Sequence, residues 1–80
     1  INTKNKKMII DRQIIDNNGK RSVIELIVIN DGRNDNFYIR NTASKSERFA
    51  GNTISKAIQA LENICGAIHP RKKTLLLNAF

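Results

Sequence analysis

KMIIDRQIIDNNGKRSVIELIVI, residues 7–29, decides the fold. Two runs rich in Ile and Val flank Asn18-Gly19, a pair of residues that both tolerate positive φ and so make a two-residue hairpin turn. Residues 7–15 and 21–29 read as antiparallel strands, the second dense in β-branched side chains. With Asn18-Gly19 as the turn, Ile15 faces Ser22, Ile14 faces Val23, Arg12 faces Glu25 and Ile10 faces Ile27. The opposite charges of Arg12 and Glu25 support that register.

Reading outward, NDGRND (30–35) is a second turn and NFYIRNT (36–42) a third strand. Closing this hairpin from Asp31 to Asn34 sets Val28 against Phe37, Leu26 against Ile39, Ile27 against Tyr38 and Glu25 against Arg40. Segment 43–51 is either a loop or, in KSERFAG, a short fourth strand. In GNTISKAIQALENICGAIH (51–69), Ile54, Ile58, Leu61, Ile64, Cys65 and Ile68 recur at helical spacing. Asn52 or Thr53 can cap this helix and Gly66 or Pro70 can end it. TLLLNAF (74–80) reads as a last strand. The expected fold is α+β: an antiparallel sheet of three to four N-terminal strands packed on one amphipathic helix, with a short C-terminal strand. Residues 1–7 read as a flexible basic arm carrying Lys4, Lys6 and Lys7, and 8–80 as a single small domain. A chain of 80 residues that begins at Ile1 suggests a piece of a longer protein.

Strand alternation gives the sheet two faces. Ile9, Ile15, Ile24, Leu26, Val28, Phe37 and Ile39 make an apolar face suited to the helix. Met8, Ile10, Arg12, Ile14, Val23, Glu25, Ile27, Ile29, Tyr38 and Arg40 make the other, apolar but crossed by a charged row. An exposed apolar patch of that extent calls for a partner: a homodimer, a neighbouring domain of the same protein, or nucleotide bases.

Charge narrows the choice. Lys and Arg total 14 against 7 Asp and Glu, a net +7 with a pI near 10.1. That balance suits a polyanion. The candidate nucleic-acid contacts are Arg12, Tyr38 and Arg40 on the free face, Lys20, Arg21 and Arg33 at the turns, Lys45 and Arg48 before the helix, and Arg71, Lys72 and Lys73 in a basic turn. The helix N-terminus at 52–55 offers further free amides. Each has a plainer role available: Arg12 and Arg40 can neutralise Glu25, and a lysine-rich arm can be a solvated tail. With four aromatic residues, and Phe37 expected in the core, a base-stacking platform would be thin; that favours backbone contacts to duplex DNA, with a strand or hairpin set against a groove.

Catalysis finds little support. His69 stands alone before Pro70, and Cys65 lies on the apolar helix stripe. Ser44 and Ser46 flank Lys45 without a nucleophile–base pattern. No Cys/His spacing suits a metal, and Gly51 and Gly66 do not form a phosphate-binding loop. No cofactor is implied and no enzyme is expected. Nor is a membrane partner: no apolar run reaches the ~18 residues of a span, and Lys56 is the helix's sole cation. A single cysteine fits a reducing, intracellular setting (cytoplasm, nucleoid or nucleus).

FYIRN (37–41) followed by ISKAIQALENICG (54–66) resembles the sheet-then-helix segment of phage integrase arm-binding domains over about a third of the chain. That resemblance implies Tyr38, Arg40, Lys45 and Arg48 as DNA contacts; the extra N-terminal hairpin strand and the C-terminal strand depart from it. The strands-then-helix order is also similar to dimeric coactivator-type single-stranded-DNA binders, from which TLLLNAF departs. The expected function is a non-enzymatic nucleic-acid-binding domain of the transcription, recombination or replication type. The alternative is a protein-interaction or oligomerisation module using the apolar second face.

Overall fold

Asn18 and Gly19 turn the chain as the sequence predicts, at φ 55° and 81°. The Asp16 carboxylate accepts from the Gly19 N–H at 3.1 Å, which tightens the turn. The computed structural model describes residues 6–80, so most of the expected arm at 1–7 lies outside the described residues; Lys6 and Lys7 already belong to the first strand. Strands β1 (Lys6–Asn17), β2 (Lys20–Asn30), β3 (Asp35–Asn41) and β4 (Ser46–Gly51) form one antiparallel sheet in the order β1-β2-β3-β4. Helices α1 (Ile54–Cys65) and α2 (Pro70–Ala79) follow. The α+β class therefore holds, and 43–51 resolves into a turn and a fourth strand.

The β2–β3 register is the expected one, from Glu25 opposite Arg40 to Val28 opposite Phe37. The first hairpin keeps its expected register from the turn as far as Arg12 opposite Glu25, and on to Asp11 opposite Leu26. Beyond that, a bulge between Ile9 and Asp11 inserts one residue. Ile9, and not Ile10, now faces Ile27, and Met8 faces Val28. The expected faces of Met8, Ile9 and Ile10 are thereby corrected. One extra residue reverses the alternation for everything N-terminal to it. Ile10 turns in against the core, while Ile9 joins the open face at 40% exposure.

The core fills the space between the sheet and the helices. Ile24, Leu26, Val28, Phe37 and Ile39 from the sheet meet Ile54, Ala57, Ile58 and Leu61 of α1, with Ile68 and Leu76 beyond. Thr53 caps α1, its hydroxyl accepting from the Lys56 N–H at 3.2 Å. Gly66 ends it at φ 84°, its N–H donating to the Glu62 carbonyl at 2.8 Å.

The expected C-terminal strand is instead most of α2, so two helices follow the sheet where one was expected, with α2 packed against α1. Pro70 stands at the first helical position, where its fixed φ suits the helix and its missing N–H costs nothing. The His69 ring Nδ1 accepts from the Arg71 N–H at 3.1 Å. The three leucines fit a helix as well as a strand, and here Leu76 is buried while Leu75 and Leu77 are exposed. Phe80 anchors the far end with its ring edge-on to Phe37, 5.8 Å between centroids.

Gly51 joins β4 to α1 with φ at 136°, and a Cβ there would stand 2.6 Å from the Cβ of Lys56. Lys56 Cβ is fixed by the helix backbone and cannot swing aside. Gly51→Ala is therefore expected to cost about 2–4 kcal/mol through backbone strain and overlap together. A urea titration reads this as a lowered midpoint at unchanged slope.

Candidate nucleic-acid interface

The sheet has two ends, and its charges separate between them. At one end lie the β1–β2 turn, the β3–β4 turn and the C-terminus of α1. The β1–β2 hairpin runs past β3, whose pairing stops at Asn41 opposite Ile24, with the Thr42 N–H donating to the Val23 carbonyl at 3.0 Å. Lys20 and Arg21 thus ride on a projecting tip. Lys45 sits in the neighbouring turn at φ 57°, and Arg40 on β3 just behind it. Among the described residues none of these four cations makes an ion pair. Asp16 is opposite Arg21, and Arg40 stands between Glu25 on β2 and Glu47 on β4, the acids nearest these cations in register.

The other end is different. Arg33 lies in the β2–β3 loop between Asp31 and Asp35. The Asp31 carboxylate accepts from the Asn34 N–H at 2.8 Å and the Arg33 N–H at 3.0 Å. These backbone donors, Asn34 first, hold its carboxyl below the usual carboxylate range. Arg33 thus stands between two loop carboxylates at the end of the sheet away from Lys20 and Lys45, without an ion pair among the described residues. The α1 N-terminus is also at this end, away from Lys20 and Lys45.

Faces divide the remaining candidates. Arg12, Tyr38 and Arg40 share the face turned away from the helices. Arg12 reaches the buried Glu25 carboxylate at 3.1 Å. Arg48 is opposite Ile39 and so points to the helix side. There it lines a groove with Ile24, Asn41, Ser46 and Ile64. Lys72 and Lys73 are occupied: Lys72 meets Asp11 at 3.0 Å, and Lys73 meets Glu62 at 3.4 Å. Arg71, second in α2, is exposed and makes no ion pair among the described residues.

The Asp11 side chain is only 6% exposed, under a lysine that is 43% exposed. Gln13 Nε2 also donates to it at 2.9 Å. Lys72→Ala would leave a buried carboxylate without its cation, at a cost of about 1–3 kcal/mol. Its expected signature is a lower melting temperature with any polyanion affinity nearly unchanged. A phosphate-contacting lysine would give the reverse.

The open face is curled. Lys7 on β1 and Glu47 on β4 meet at 3.7 Å, although three strand spacings of about 4.8 Å separate their strands in a flat sheet. Ile27, on this face, is wholly buried, with Ile9 and Tyr38 flanking it across the strands. Phe49 is the residue that sequence reasoning passed over. It pairs with Tyr38 across β3–β4, edge to face, 5.6 Å between centroids at 70°, and stays 58% exposed. Treating 45–51 as a strand with Glu47 opposite Arg40 would have placed it there.

Cys65 is half-buried against the core, and burial first, then the charge of Asp11, push its thiol up. It is protonated at neutral pH. Among the described residues no group of three His, Cys, Asp or Glu gathers at metal-binding distance. No described helix is long and apolar enough to cross a membrane. No protein-family model matches the chain, and no curated protein or solved structure matches it.

Proposed function

We propose that the domain binds nucleic acid, DNA in preference to RNA, through the turn end of its sheet and the adjoining open face. One observation carries the reading: Lys20, Arg21 and Lys45 lie in or beside the turns at one end of the sheet, with Arg40 farther back on β3, and none of the four has an ion-pair partner among the described residues. Unpaired cations gathered on neighbouring turns match the spaced charges of a phosphate backbone, and binding releases the counterions condensed there. In this reading Tyr38 is a flanking contact on the open face, while Arg12 is held by Glu25 and Arg48 lies on the helix side. Lys72 and Lys73 are set aside, since carboxylates pair them, and Arg33 because it lies at the opposite end of the sheet.

The test is fluorescence anisotropy of a labelled oligonucleotide titrated with the protein at several salt concentrations. Four phosphate contacts give a log–log salt slope of about −3 to −4. No binding at low ionic strength overturns the proposal.

A second reading has its own observation. Ile14, Phe49 and Ile9, all on the open face, are 69%, 58% and 40% exposed. A protein-interaction module, with a second copy seated there, would cover them. In that case light scattering shows a dimer that Ile14→Asp dissociates.

A further inference from the structure

We infer that the curled face holds unpaired bases on the Tyr38–Phe49 pair, so that the nucleic acid bound is single-stranded. This rests on the nucleic-acid reading above and names the form of its ligand. Phe49 contributes little to the core: it stands on an edge strand, more than half exposed, with the Tyr38 ring beside it at a steep angle. An aromatic ring held in that way offers a flat apolar surface at little further entropic cost. A base laid on such a ring gains stacking whatever its identity.

Neighbouring residues fit the rest of a nucleotide. Arg40 follows Tyr38 on the same face of β3 and has no ion-pair partner among the described residues. Lys45 lies in the turn beyond it. A strand whose bases sit on Phe49 would thus run its phosphates toward the cationic turn end. Ile9, on the far side of the buried Ile27, gives the trough an apolar wall.

The shape disfavours duplex. Bases in a duplex already stack on one another and present only edges and backbone, so a ring on a sheet face gains nothing from them. A trough narrow enough for Lys7 and Glu47 to meet across it admits a flexible strand more readily than a stiff double helix. That ion pair is itself exposed, at 49% and 36%, and opens at small cost.

The experiment compares labelled oligothymidylate with a duplex of equal length, for the wild-type chain and for Phe49→Leu. Leucine keeps the apolar bulk and removes the stacking surface; thermal unfolding checks that the fold is kept. The expected result is tighter binding of the single strand, weakened roughly 5- to 150-fold by Phe49→Leu, with weak duplex binding unchanged. Duplex bound as tightly as the single strand overturns the inference while leaving nucleic-acid binding standing. So does a single strand bound equally by both proteins. Failure of both oligonucleotides to bind at low salt removes the underlying reading as well.

Discussion

Ile27→Asp is expected to abolish cooperative unfolding, whereas Ile14→Asp, on the same face of the sheet, leaves it intact. Ile27 is wholly buried and Ile14 is 69% exposed. Truncating a buried Ile costs about 2–5 kcal/mol. A buried carboxylate without a partner adds several more. An 80-residue domain holds about 4–12 kcal/mol in total, so the sum consumes most or all of it. Exposed Ile14 should shift stability by about 0.5 kcal/mol or less. Circular dichroism on heating distinguishes the two. The contrast also governs which residue can probe a dimer: Ile27→Asp would dissociate a dimer by unfolding its subunits, so Ile14 is the informative position.

Reversing the charge of the turn end has the largest expected effect on binding. Arg40→Glu with Lys45→Glu should weaken oligonucleotide affinity roughly tenfold or more and reduce the magnitude of the salt slope by about 1.4, two contacts at about 0.7 each. Arg40 is half-buried and Lys45 exposed, and neither is paired, so no ion pair is broken. Because Lys45 takes φ 57°, Lys45→Asn with Arg40→Gln gives a neutral control that eases the turn. It should weaken binding less than the reversal does. Equal affinity across all three proteins would move the contact surface elsewhere.

Local chemistry was what the sequence could express. Asn18-Gly19 sets the first hairpin and Arg12 opposite Glu25 confirms its register, because both effects act within a few residues of the turn. The β2–β3 pairing follows for the same reason. The bulge before Asp11 did not follow, since a turn fixes register only until something interrupts the ladder. It moves Ile9, Ile10 and Met8 between faces. Thr74–Phe80 reads as a strand yet folds mostly as helix, because three consecutive leucines have no period, and Pro70, which can stop one helix, starts the next.

The candidate site divides in the same way. Lys20, Arg21 and Lys45 declare themselves as turn cations. That Lys72 is held by Asp11 and Lys73 by Glu62 depends on how α2 folds back over β1 and α1, which spacing along the chain does not express. Phe49 became legible only with β4, whose short, polar and mostly exposed residues carry weak strand signals.

The most direct measurement is an amide nitrogen–proton correlation spectrum titrated with oligothymidylate at low salt. The expected shifts fall on Tyr38, Arg40, Lys45 and Phe49, with smaller ones at Lys20 and Arg21, while the amides of α2 stay still. Shifts confined to the helices, or a spectrum unmoved by excess oligonucleotide, would contradict the account.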